Sequence, residues 1–144
     1  MGRARIAELI VDTSALVAIA LAESSWEHLL DAVVREQCSV PMSVLVELRL
    51  ATASRRDEVV ALAARLIDRL DDRGAEFVEF RRDHAELANL ARDLFGKGNG
   101  RGGLLNFGDL MVYAVAKQRG EAILCTGRDF ASTDIAIHPA SRLD

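Results

Sequence analysis

The stretch from Leu104 to Phe130, LLNFGDLMVYAVAKQRGEAILCTGRDF, limits the folds open to this chain more than any other part. Its run Ala122-Ile123-Leu124-Cys125 is short and has no polar alternation, the pattern of a strand buried on both faces. Ahead of it, Asn106 can cap a helix running from about Phe107 to Arg119 and ended by Gly120. Phe107, Leu110, Met111, Ala114 and Val115 fall at helical spacing. Val112, Tyr113 and Ala116 make much of the remaining circumference apolar, so this helix is expected to be covered on most sides. Asp109 in its first turn and Asp129 just past the strand are the exceptions, since a carboxylate enclosed without a partner is costly.

The rest of the chain repeats the alternation. Glu8-Leu9-Ile10-Val11 reads as a strand that ends on Asp12, followed by Thr13, Ser14 and the apolar run Ala15 to Ala22. Ser24 with Glu27 has the spacing of a capping box for a helix from Trp26 to about Gln37. Cys38-Ser39-Val40 is a second strand that Pro41 breaks, and Ser43 starts a helix whose apolar run is interrupted by Glu47. A long charged helix covers Ser54 to Arg73, and Phe77-Val78-Glu79-Phe80 alternates as a third strand. Asp83 with Glu86 then caps a helix reaching Phe95, and the segment Phe130 to His138 offers a last short strand with Asp134 as a turn residue. The expected class is α/β, with a mainly parallel central sheet of about four to five short strands flanked by helices. One domain spans residues 1–144, the first seven forming a short N-terminal extension.

Composition excludes several classes. The net charge of −4 argues against a protein that holds nucleic acid by bulk electrostatics, although the basic set is almost wholly arginine, which suits phosphate recognition. Apolar runs are broken by charges well before bilayer length and the N-terminus lacks a signal-peptide core, so a soluble, cytoplasmic protein without membrane contact is expected. Cys38 and Cys125 sit in apolar, strand-like contexts and read as packed, reduced thiols.

The loop from Gly96 to Gly103 formally contains G-x-G-x-x-G at Gly98, Gly100 and Gly103. A dinucleotide fingerprint needs a strand immediately before it, and this loop follows a helix. What remains is a mobile, basic connection in which Lys97 and Arg101 either touch a phosphate backbone or merely join two helices.

In an open parallel sheet the ligand crevice lies beyond the carboxyl ends of the strands. Asp12 and Asp129 follow strands, Asp109 begins a helix that feeds one, and Glu47 lies one turn into a helix following another, so all four can converge on one edge. Plainer readings stand beside this one: Asp12 or Ser14 as a helix cap, and Glu47 in a core ion pair or on a solvated stripe. Converging carboxylates raise each other's pKa unless a cation lies between them. An oxygen-only donor set favours a hard ion, Mg²⁺ or Mn²⁺, and phosphodiester hydrolysis by a metal-activated water is then the reaction class. His28, His84 and His138 are scattered, which leaves a histidine acid/base mechanism without support, and a serine nucleophile elbow is absent.

The segments LIVDTSALVAI, SVLVELRLA, GKGNGRGGLLNFGDLMVYAVAK and ILCTGRDFASTDIAI together resemble the PIN-domain ribonucleases of the VapC toxin type. The resemblance implies a Mg²⁺-dependent endoribonuclease acting on RNA as the toxin of a toxin–antitoxin pair, inhibiting translation. It matches Asp12, Glu47 and Asp109 to the acidic centre, with Asp12 and Asp109 as direct metal ligands, and Asp129 to a fourth, less constant acid. Thr13, Ser14 and Thr126 match hydroxyl positions near that centre, and Asn106 supports it as the helix cap. It also implies a homodimer and a VapB-type antitoxin, with operator DNA reached only through the antitoxin. The extension Met1 to Ala7 departs from such toxins, which often begin almost at the first strand. The chief alternative is a catalytically silent PIN-like module that binds RNA or a protein. A phosphoacceptor receiver would need an acidic pair after the first strand, and an aspartyl phosphatase an acid where Ser14 stands.

Overall fold

Short runs of branched and apolar side chains build the sheet in the computed structural model, which describes residues 8–144 and leaves the N-terminal extension outside. The strands are β1 (Leu9–Val11), β2 (Cys38–Pro41), β3 (Glu76–Val78) and β4 (Ile123–Leu124). They lie in the order β3-β2-β1-β4 and every pairing is parallel. Residues of β1, β2 and β4 are all buried, as strands enclosed by helices on both faces must be. Edge strand β3 admits solvent at Glu76.

Among the described residues six helices enclose this sheet: α1 (Thr13–Ala20), α2 (Trp26–Arg35), α3 (Met42–Thr52), α4 (Asp57–Asp72), α5 (Arg82–Phe95) and α6 (Phe107–Arg119). Ile10, Leu16, Leu29, Val40, Val44, Val112 and Ile123 are wholly enclosed at the centre of the core. Among the described residues no helix is long and apolar enough to cross a membrane. Both cysteines are free and buried, and burial pushes each thiol up to about 12.

Several local expectations are corrected. Ser24 and Glu27 form no capping box: Ser25 precedes α2 in a left-handed conformation (φ 63°) without a side-chain cap bond. Pro41 does not break β2 but completes it, pairing with Val78 where its missing N–H is not needed. Helix α3 accordingly starts at Met42 without a Ser43 cap, and the buried Ser43 hydroxyl has no partner among the described residues. Helix α4 begins at Asp57, where Asp57 and Glu58 favour its N-terminus, rather than at Ser54. Asp83 lies inside α5, whose first turn is closed by His84 Nδ1 accepting the Arg81 N–H at 2.9 Å. The segment after Asp129 forms a 3-10 turn (Phe130–Ser132) instead of a strand, because Ser132 and Thr133 hydroxyls bond back to Asp129 and Phe130 carbonyls. Only a single bridge, Ile123 to Ile137, extends the sheet there. Phe107 is 79% exposed, against the expectation that it packs inward with the rest of α6.

Candidate acidic site

β1 delivers Asp12 to the carboxyl edge of the sheet, where the chain turns into α1. Asp12 is the N-cap of that helix: its Oδ2 accepts the Ser14 N–H at 3.0 Å and the Ser14 hydroxyl at 2.5 Å. The capping and functional readings therefore coexist in one carboxylate. Only 5% exposed, Asp12 is pushed up to about 6 by burial, with Glu47 repulsion adding to the rise and the Ser14 bonds opposing it.

Glu47 reaches in from α3 and is half-buried. Its Oε1 accepts the Thr13 hydroxyl at 3.2 Å, and burial, then the Asp109 charge, raises its pKa against that bond. Among the described residues it has no ion-pair partner, and being half-buried it does not lie on a solvated stripe. The carboxylate lies over Gly108, the second residue of α6, where a Cβ would overlap it.

Asn106 and Asp109 cap α6 reciprocally. Asn106 Oδ1 accepts the Asp109 N–H at 2.9 Å and Asp109 Oδ2 accepts the Asn106 N–H at 3.0 Å. Burial pushes Asp109 up to about 6; repulsion from Asp12 and Asp129 adds to this, while the Asn106 bond and the Lys97 charge oppose it. Asp129 is exposed at the rim, beside the 3-10 turn, and so escapes the cost of enclosure. Thr126 closes the far side, its N–H donating to the Ser14 oxygen at 3.0 Å.

The electrostatic couplings thus link Asp12 with Glu47, Glu47 with Asp109, and Asp109 with both Asp12 and Asp129. They act through space rather than contact. Among the described residues no three acidic, histidine or cysteine side chains stand close enough to enclose an ion as they are.

The glycine loop leading to α6 is pinned rather than a loose connection. Lys97 N–H donates to Leu105 O at 2.7 Å, and Asn99 Oδ1 accepts the N–H groups of Arg101 and Gly103 at 2.8 and 3.1 Å. A Cβ on Gly103 would overlap the backbone at Phe95 and Gly96, so the loop closes only around glycine. Lys97 is thereby fixed within electrostatic reach of Asp109, a position the sequence left undecided. Asp134 lies apart from the acids, accepting the Tyr113 hydroxyl at 2.6 Å and Lys117 at 2.7 Å.

A PIN-domain family model matches residues 9–136. Ribonuclease VapC42 of Mycobacterium tuberculosis H37Rv is 41% identical over 129 residues, covering 88% of this chain and 96% of that protein. The chain belongs to the VapC family of PIN domains. Ribonuclease VapC28 of the same strain is 35% identical over 130 residues, covering 88% of this PIN domain and 95% of the relative. Its fold is that of VapC20 from Mycobacterium tuberculosis, a toxin that cleaves the sarcin-ricin loop, at a TM-score of 0.65 and 17% identity over 89% of this chain and 96% of that one. It is equally that of VapBC2 from Rickettsia felis, solved with a promoter DNA fragment, at 0.65 and 16% over 94% and 96%.

Proposed function

We propose that this chain is the toxin of a VapBC-type pair: a Mg²⁺-dependent endoribonuclease, able to use Mn²⁺, that hydrolyses RNA in the cytoplasm and arrests translation. The observation that carries this reading is the acid set itself, drawn from four separate parts of the chain into one field, where burial, and after it mutual repulsion, pushes Asp12 and Asp109 up to about 6. Such a field is a standing cost that a divalent cation removes. Family membership adds that VapC relatives matching along nearly their whole length are named as ribonucleases.

The donors fit a hard ion, being carboxylate oxygens, and Cys125, which feels the charges of Asp12, Asp109 and Asp129, is a buried thiol pushed up to about 12 and so kept out of the donor set. Asp12 and Asp109 would hold it, Glu47 would complete the set, and Asp129 would stand at the rim. Drawing them round one ion asks for a change of side-chain rotamer at the half-buried Glu47 and Asp109. A bound cation supplies Lewis acidity, activating water and neutralising charge that develops on the phosphoryl group. The protein's own part is orientation. Ser14 aims Asp12, Thr13 holds Glu47, and Asn106 fixes Asp109 at the start of α6. Lys97 and Arg101 present positive charge to the RNA backbone from the pinned loop.

A VapB-type antitoxin is the proposed partner, with operator DNA bound only through it, because fold neighbours were solved as VapBC assemblies. A homodimer of the toxin is proposed as well. The exposed side chains Met42, Val46 and Leu50, one helical turn apart along α3, give such partners apolar surface to cover.

A non-cutting RNA- or protein-binding module is the second reading, favoured by the absence, among the described residues, of three acids already converged on one point. Purified protein incubated with total RNA and Mg²⁺ or Mn²⁺, against EDTA and Asp12→Asn controls, separates the two. Metal-dependent cuts with 5′-phosphate and 3′-hydroxyl ends that vanish in the variant are expected. Equal cutting by variant and wild type, or none by either alongside tight RNA binding, would overturn the nuclease reading.

A further inference from the structure

Gly108 occupies a position where glycine is a poor choice. It is the second residue of α6, its backbone is outside the left-handed region, and alanine there would favour the helix. Nothing in the backbone conformation demands a missing side chain. What demands it is a neighbour from another helix: a Cβ on Gly108 would overlap Glu47 Oε2 and Cδ and stand 2.6 Å from Oε1. All three of the nearest atoms belong to that one carboxylate.

Among the described residues Glu47 otherwise has a single hydrogen-bonding anchor, the 3.2 Å bond from the Thr13 hydroxyl to Oε1. A glutamate has several rotatable bonds, and its carboxylate loses hydration on entering the protein, so a half-buried one returns to solvent unless space and partners hold it. Glu47 is itself only half-buried, so solvent is within its reach. The start of α6 also offers a favourable field, since a helix N-terminus carries partial positive charge.

We infer that Gly108 is a positioning residue whose absent side chain forms the seat for the Glu47 carboxylate, keeping it beside Asp109 instead of in solvent. The consequence for catalysis rests on the acidic-centre reading above; the seat does not. Thr13 and Gly108 together brace Glu47 from two elements, α1 and α6, so that a side chain delivered by α3 is set against both.

The test is a double-mutant cycle on the metal-free protein, read by thermal unfolding. Gly108→Ala should lower the Tm when Glu47 is present and raise it in the Glu47→Ala background, where only the helix preference is left. This sign reversal is the mark of the seat. An equal change in both backgrounds would overturn the inference, as would a Gly108→Ala chain that fails to fold in both. Failure to fold only while Glu47 is present would support it.

Mn²⁺ titration by calorimetry provides the second readout. Gly108→Ala should weaken binding about tenfold, as far as Glu47→Ala does, a loss comparable to removing a group that orients a metal ligand. Sign reversal with Mn²⁺ affinity untouched in both variants would uphold the seat and remove Glu47 from the metal centre, so the two readings fail separately.

Discussion

The Ser14 hydroxyl donates to Asp12 Oδ2 across 2.5 Å, and Ser14 Oγ in turn accepts the Thr126 N–H at 3.0 Å. One side chain therefore joins the ends of β1 and β4 and fixes which way Asp12 faces. Ser14→Ala removes a donor to a carboxylate and strands a backbone N–H. Bonds to charged groups are worth about 1.5–3 kcal/mol, so cleavage should fall about ten- to a hundredfold. Because that bond favours the ionised acid, its loss should also move the pH profile of Mn²⁺ binding to higher pH. A drop in rate with an unmoved profile would mean that Ser14 serves the fold alone.

Asp12 and Asp109 both titrate near 6 in the folded protein against an ordinary 3.8. Between those values the native state holds protons that the unfolded chain has released. Their contribution to stability is therefore greatest below about pH 4 and is lost as pH rises through 6. For the enclosed Asp12 this amounts to about 3 kcal/mol at neutral pH. Asp134, held below the ordinary range by Lys117, works in the opposite direction, so the informative quantity is a difference between proteins. Without metal, Asp12→Asn should melt above wild type at pH 7 and match it more closely at pH 4, while losing cleavage. A variant that melts lower at pH 7 would contradict this account. Mn²⁺ should raise the wild-type Tm above pH 6 and leave Asp12→Asn unmoved.

The α/β class, the parallel sheet and the four acids were legible because each rests on local contrast. Asp12 ends an apolar strand, Asp109 follows a cap residue, and Glu47 interrupts an apolar run. Cap geometry was less so. The Ser24 and Glu27 spacing is right, yet the left-handed turn at Ser25 decides how α2 begins. His84 looked like a stray histidine, and only the approach of α6 shows it to be a closed link. Gly108 carried a faint signal, a glycine inside an otherwise apolar helix. Its meaning depends on α3 crossing α6 at that residue, which no local pattern encodes.

His84 is 1% exposed and hydrogen-bonded on both ring nitrogens. Since Nδ1 accepts the Arg81 N–H, the ring proton lies on Nε2 and is donated to Gln118 Oε1 at 2.5 Å; Gln118 in turn donates to Asp83 at 2.7 Å. The chain Arg81–His84–Gln118–Asp83 locks the start of α5 to the C-terminal end of α6, away from Asp109. His84→Ala leaves a cavity and stranded polar groups, and should cost about 2–4 kcal/mol of stability. Cleavage at low temperature should persist, and ¹⁵N shifts should identify the Nε2–H tautomer. A variant as stable as wild type would show that the link is not closed in solution.

Lys97 makes a prediction of two opposite signs. Held by its own N–H to Leu105 O and by the Asn99 brace, it lies within electrostatic reach of Asp109 without forming an ion pair among the described residues. A cation so placed repels a divalent ion and attracts a phosphate backbone. Lys97→Ala should therefore tighten Mn²⁺ binding at pH 8, where Asp109 is already ionised, while raising KM for RNA. Each change should be about two- to fivefold, the scale of an exposed charge pair, and both should shrink at high salt. Asn99→Ala, which frees two loop N–H groups, should reproduce both changes in weaker form, because the lysine remains but its position is released. Were Lys97 only part of a connection, neither quantity would move. Were it a structural cation for Asp109, both would weaken together.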